Sequence, residues 1–278
     1  MLTDYHVHLR PDGQDASVER YYTAANVARY RQAASERGIA ELGVSEHVYR
    51  FRQALEVWRH PFWEQFAHDD LDAYCAFVRE QTDLRLGLEA DFVPGAEQRL
   101  AELLAERDFD YVIGSVHFIR EGAVDMDDYS VWGSGRSPEE IWSRYFEVVG
   151  AAAASGLFDV IAHPDLVKYW SPARRPQGEL RRFYEPAVAG IAASGVAVEL
   201  STAGLRKPAG EMYPAPVFLQ MCLHAGAPVA LSSDAHRPED VGGDYDAALA
   251  LLAELGVQEL CVFERRQRSL HPIGGAPR

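Results

Sequence analysis

The sequence predicts an α/β fold, a closed (β/α) barrel with parallel strands. Three observations carry this. Short apolar or β-branched runs alternate with helical patterns along the chain. Gly38, Gly156, Gly195, Gly226 and Gly256 each fall just past a helical stretch and just before a strand run, where a helix end calls for positive φ. Seven or eight such units fit 278 residues as a barrel rather than an open sheet.

The strand runs are Thr3–His8, Ile39–Ser45, Leu84–Ala90, Tyr111–Val116, Phe158–Ala162, Val196–Ser201 and Pro228–Ser233, with Glu259–Phe263 as a weaker eighth. The helical patterns between them are Val18–Arg37, Ala96–Arg107, Pro138–Ser155, Glu179–Ala193, Ala215–Ala225 and Pro238–Leu255. Ser17 and Ser137 are suitable N-caps, and Pro138 suits the first helical position. The rhythm breaks once, at about 48–82, where Phe51, Trp58, Phe62, Trp63 and Phe66 crowd an expected helical insertion. It either lids a site or packs as ordinary helices, the second being favoured. Residues 1–278 read as one domain carrying that insertion.

Bulk properties narrow the function. The chain is 47% hydrophobic and 25% charged, as in ordinary globular domains. A net charge of −15 argues against a nucleic-acid partner. An anionic small substrate remains compatible, because local cations can reverse the field inside a pocket. Cys75, Cys222 and Cys261 are odd in number, scattered and free of CxxC spacing, which fits a reducing compartment. No basic n-region precedes an apolar run at the N-terminus. The longest apolar stretch, near Val148–Phe158, is too short to span a bilayer. The expectation is a cytoplasmic protein with no membrane partner. Its oligomeric state stays open.

Chemistry in a parallel barrel sits at the C-terminal strand ends. The first run ends His6-Val7-His8, the second Ser45-Glu46-His47 and the third Glu89-Ala90-Asp91. The fourth ends Ser115-Val116-His117, the fifth Ala162-His163-Pro164-Asp165, the sixth Glu199-Leu200-Ser201 and the seventh Ser233-Asp234-Ala235-His236. Residues i and i+2 of a strand share a face. His6 with His8, and Asp234 with His236, therefore project together. Paired imidazoles with carboxylates suit divalent ions such as zinc, iron or manganese. A lone HxH is weak evidence, and a lone His47, His117 or His163 is more often a hydrogen-bonded core histidine. The joint pattern decides for metal: six of the ten histidines fall at strand ends, and His60, His68, His224 and His271 do not.

These residues resemble the PHP family (polymerase and histidinol phosphatase). The motifs are DYHVH, GVSEH, LGLEADFVPG, YVIGSVHFI, DVIAHPDLVKYW, VELSTAGLRKP and LSSDAH. The GSVHFI and STAGLRKP stretches look like the histidinol-phosphate phosphatase branch. The resemblance implies a distorted seven-stranded (β/α) barrel holding two to three divalent ions. The first would take His6, His8, Glu89 and Asp234. The second would take Glu89, His117 and His163, with Glu89 bridging. The third would take His47, His236 and a residue of the loop after the first strand. There the family pattern expects His or Asp, and this chain has Gln14, with Asp12 and Asp15 nearby. Asp15 is favoured; otherwise Asp12 serves or the third ion is absent.

The activity this implies is hydrolysis of a small phosphate monoester, L-histidinol phosphate, with Asp234, Glu89 and His236 as catalytic ligands. Arg206, the better bidentate partner, and then Lys207 and Lys168 are expected on the phosphate. Glu46 or Asp91 is expected to receive the cationic amine and imidazole. Three alternatives remain: another PHP phosphoesterase, an amidohydrolase-type barrel, or a non-catalytic PHP module. Glu89 stands where an amidohydrolase places a bridging lysine, and a non-catalytic module often loses ligands that are kept here.

Overall fold

The computed structural model describes residues 1–13 and 17–274. Seven parallel strands stand in chain order, each paired with the next. They are β1 (Leu2–Asp4), β2 (Ile39–His47), β3 (Arg85–Asp91), β4 (Tyr111–Ser115), β5 (Val160–Ile161), β6 (Ala197–Ser201) and β7 (Val229–Ser232). Unbroken sequential order is what repeated strand–helix units produce, since each crossover returns the chain beside the strand it left. The ring is nearly closed. Beyond β1 and β7, Val7 and Ala235 form a lone parallel bridge, with His8 N–H donating to Ala235 O at 2.8 Å. Asp4 fastens the same seam: it accepts from Ser233 N–H, Ser233 Oγ and Gly242 N–H at 3.0, 2.5 and 3.0 Å.

The flanking helices are α1 (Ala24–Glu36), α2 (Pro61–Phe66), α3 (Leu71–Gln81), α4 (Glu97–Ala105), α5 (Pro138–Ala154), α6 (Arg181–Ser194), α7 (Pro216–His224) and α8 (Tyr245–Glu254). Ser137 caps α5 in a full capping box with Glu140. Gly195 ends α6 at φ 67°. The helical pattern over Val18–Arg37 splits: a single turn, Val18–Tyr21, precedes α1, because the Thr23 side chain accepts from Asn26 N–H and starts a new helix. The pattern at Pro238–Leu255 divides likewise, since Gly242 turns at φ 62° and α8 starts only at Tyr245. Helices α5 and α6 approach so closely that a Cβ on Gly190 would lie 2.2 Å from Gly150 O.

The core has two parts. Most apolar side chains fill the layer between sheet and helices. A smaller cluster occupies the barrel interior below the strand ends, around Tyr5, Tyr111, Ile113, Val160 and Phe263. The Tyr111 ring lies where a Cβ on Gly43 or Gly87 would sit, and its hydroxyl donates to Tyr5 O at 2.6 Å. The eighth expected run is not a barrel strand. Glu259–Glu264 pairs antiparallel with Gln267–Pro272, and Phe263 of this hairpin packs edge-on against Tyr5. No helix among the described residues is long and apolar enough to cross a membrane. The three cysteines are free.

Candidate metal centre

The strand ends deliver their histidines and carboxylates to one place. Val7 and Ala235 use their backbones for the seam bridge. Their flanking residues, His6 with His8 and Asp234 with His236, therefore point inward together. Register does the same on the other side, where His47 of β2 lies level with Glu89 of β3. His163 and Asp234 follow the short strands β5 and β7 at φ 24° and 50°. Positive φ in non-glycine residues is strained and clusters at functional sites.

The donor atoms fit metal ions. His6 Nε2 lies 3.4 Å from Glu89 Oε2 and 3.6 Å from Asp234 Oδ1. His8 Nε2 lies 3.6 and 3.5 Å from the same two oxygens. Four ligands about 2.1 Å from one ion, tetrahedrally placed, stand about 3.4 Å apart. All four atoms are buried; those of His6, His8 and Asp234 take no hydrogen bond, a costly state without a ligand, and Glu89 Oε2 also touches His47 Nδ1. The other oxygen, Glu89 Oε1, faces away from this group, 3.1 Å from His163 Nε2 and 3.5 Å from His117 Nε2. Glu89 thus straddles two groups, as a bridging carboxylate must. His47 Nε2 and His236 Nε2 stand 3.4 Å apart. Asp12 lies 3.2 Å from His236 and 3.6 Å from His47. Asp15, favoured from the sequence, lies outside the described residues, and Asp12 is the loop carboxylate beside this pair. Groups of three donors within reach of a shared ion are His6–His8–Asp234, His6–Glu89–His163, His47–Glu89–His117 and His8–His47–His236.

A second layer orients these ligands. Glu199 Oε1 lies 2.7 Å from His6 Nδ1, and Asp91 Oδ1 lies 2.7 Å from His117 Nδ1. A carboxylate on Nδ1 fixes the tautomer and leaves Nε2 as the donor to metal. The sequence placed Glu199 at a strand end but gave it no role. Asp91 and Glu46 were expected to receive the substrate's cationic groups, and both are engaged elsewhere. Glu46 follows the pleat to the face opposite His47. There it is fully buried, accepts Leu9 N–H at 2.9 Å, and sits 3.8 Å from both Arg10 and Arg50.

The electrostatics follow from packing acids among imidazoles. Burial opposes charge on His6, but Glu199, Asp234 and Glu89 outweigh it and hold its pKa well above the ordinary value. The same contest, won by Glu89 and Asp12, pushes His47 up to about 9. Won by Asp91 and Glu89, it pushes His117 up to about 10. His8 goes the other way: burial, with His47 and His236 adding repulsion, holds it well below. Burial works against ionised Glu89 and Asp234, yet the surrounding histidines hold both well below the carboxylate range.

The three expected phosphate cations separate. Lys207 lines the cavity above the cluster. Lys168 does not: it is buried, with Nζ 2.9 Å from Asp165, 2.8 Å from Glu211 and 2.6 Å from Met212 O. Arg206 sits behind the β7 end, donating to Ser233 O at 2.5 Å beside Asp240 and Asp244. A cation the sequence reading passed over, Arg50, reaches the cavity and donates to Asp12 at 2.9 Å. The segment at 48–82 supplies Tyr49, Phe62 and Phe66 to the cavity wall, with Tyr49 stacked on His47.

The chain is similar to known proteins. Residues 17–203 match the model of the PHP domain. The chain is 32% identical to the "Probable histidinol-phosphatase" of Deinococcus radiodurans, covering 96% of this chain and 98% of that protein. It is 27% identical to the histidinol-phosphatase of Bacillus subtilis over 62% of this chain and 70% of the other. The crystal structure of histidinol phosphate phosphatase from Lactococcus lactis, complexed with zinc, L-histidinol and phosphate, shares the fold. Its TM-score is 0.72 at 17% identity, covering 96% of this chain and 98% of that one.

Proposed function

The chain belongs to the PHP domain family, and on that footing we propose that it is a histidinol-phosphatase, hydrolysing L-histidinol phosphate to L-histidinol and phosphate. One observation carries the chemistry: the buried donor atoms of His6, His8, Glu89 and Asp234 converge at metal-ligand spacing. The near full-length likeness to a protein of that name carries the substrate.

In this reading His6, His8, Glu89 and Asp234 hold one divalent ion, and Glu89, His117 and His163 hold a second. His47, His236 and Asp12 hold a third. The donor set suits zinc, iron or manganese. Such ions supply a nucleophile from water at neutral pH and neutralise charge on phosphoryl oxygens. The protein's own part is to position and to screen. Glu199 and Asp91 keep the His6 and His117 rings turned toward the cluster. Lys207 and Arg50 give the cavity positive charge for the dianionic ester, against the acidic surface. Tyr49, Phe62 and Phe66 wall the mouth and exclude water from one side. We read the whole chain as one domain working in the cytoplasm on a small phosphorylated substrate.

Phosphate release from L-histidinol phosphate, after loading with zinc, iron or manganese, tests this. The expected kcat/KM exceeds that for p-nitrophenyl phosphate by about 100-fold or more, the size of effect that specific contacts to a substrate produce. Equal rates on both esters would leave a phosphoesterase of another specificity. No release from either would defeat the phosphatase reading.

A further inference from the structure

Asp125 is the cavity's unclaimed acid. It lines the space above the cluster beside His117 and His163. Its backbone is clamped at the preceding residue, where Val124 N–H donates to His117 O at 2.9 Å and Val124 O accepts from Trp132 Nε1–H at 2.8 Å. Its Oδ1 is buried and takes no hydrogen bond. A carboxylate oxygen out of water without a donor is costly, and a cationic ligand relieves that cost. The other two acids lining the cavity are committed, Asp12 to Arg50 and Asp234 among His6, His8 and His236, and the buried Asp91 and Asp165 are held by His117 and Lys168.

The substrate's own connectivity says which cation belongs there. In L-histidinol phosphate the ammonium sits on the carbon next to the one bearing the ester oxygen. With the phosphate at the metal ligands, the ammonium must fall within a few ångströms of them. The imidazole hangs one carbon further out, toward the aromatic wall in which the Phe62 ring touches both Tyr49 and Phe118. We propose that Asp125 receives the substrate ammonium and so selects amino-alcohol phosphates over other small phosphate esters. This rests on the histidinol-phosphatase reading and names a specificity residue within it.

The test pairs a missing charge on the protein with a missing charge on the substrate. Wild type and Asp125→Asn are assayed on L-histidinol phosphate and on the phosphate ester of imidazolepropanol, which lacks only the amine. Zinc content is checked in both proteins. Wild type should prefer the amine-bearing ester, and Asp125→Asn should cut that preference by about 30-fold or more, as removing one partner of a buried charge pair does. Asp125→Glu, which keeps the charge, should restore part of it and also covers the case in which the asparagine variant fails to fold. An unchanged preference in Asp125→Asn overturns the proposal while leaving the enzyme a histidinol-phosphatase. Wild type that hydrolyses p-nitrophenyl phosphate as well as L-histidinol phosphate overturns the substrate reading, and this inference with it.

Discussion

Glu199 Oε1 lies 2.7 Å from Nδ1 of His6, and its other oxygen accepts His163 N–H at 2.5 Å. One buried carboxylate thereby sets the ring of one ligand and the strained backbone of another. Glu199→Gln keeps the shape and removes the charge. Zinc affinity, measured by chelator competition, should fall about 10- to 100-fold, the usual effect of losing a carboxylate behind a ligating histidine. Unchanged affinity would show that Glu199 is a packing residue only.

Asp234→Asn removes a charged donor from the group that includes His6 and His8. Activity should drop about 100-fold or more, comparable to losing a key electrostatic group at an active site. Circular dichroism and the melting curve of the metal-free protein should show a folded barrel. Wild-type turnover in this variant would break the assignment of Asp234 to the first ion.

Metal uptake should depend steeply on pH. In the metal-free protein His47 and His117 titrate near 9 and 10, so both carry protons at pH 7 that an ion must displace. Affinity should therefore keep rising from pH 7 through about 10 and level off only above that, where those protons leave unaided. Calorimetry in buffers of different ionisation enthalpy should detect proton release on zinc binding. Flat affinity over that range would mean that neither histidine is displaced as a proton carrier.

The two lysines expected on the phosphate should behave differently. Lys207→Met, at the cavity, should raise KM for the phosphate ester about tenfold, the effect of losing one charge-assisted contact. Lys168→Met leaves Asp165 buried without its cation and should cost about 3–5 kcal/mol of stability in urea denaturation. A normal KM in Lys207→Met, or undiminished stability in Lys168→Met, would reverse these roles.

Gly190→Ala tests the packing behind the barrel. The added methyl would lie 2.2 Å from Gly150 O, backbone rather than a yielding side chain. A loss of about 1–3 kcal/mol in urea denaturation is expected, as for overpacked cores. A neutral outcome would mean that α5 and α6 separate freely.

Much of this was legible in the sequence for a definite reason. Strand alternation puts His6 beside His8 with no tertiary knowledge, and the same spacing points to Asp234 with His236, although Asp234 itself sits at φ 50° beyond the strand. The same rule, applied to Glu46, would have turned that residue away from His47 and out of the cavity. What stayed hidden depends on what faces what. Nothing local tells that Glu199 stands behind His6, or that Lys207 rather than its neighbour Arg206 turns to the mouth. Asp125 follows a two-residue hairpin strand, where no periodic signal exists. The eighth run misled because a β-rich pattern does not reveal whether its partner is a barrel strand or its own hairpin mate.

The seam at Asp4 and Ser233 joins positions 229 apart in the chain. The donors proposed for the first ion are divided across it: His6 and His8 arrive near the beginning of synthesis, and Asp234 arrives after every other barrel strand. No partial chain can present that set. The loop closed by this contact is long, so its formation belongs late in folding. A cobalt ion placed there would colour only molecules whose ring has shut, and its visible spectrum would time the final step of folding rather than the early collapse.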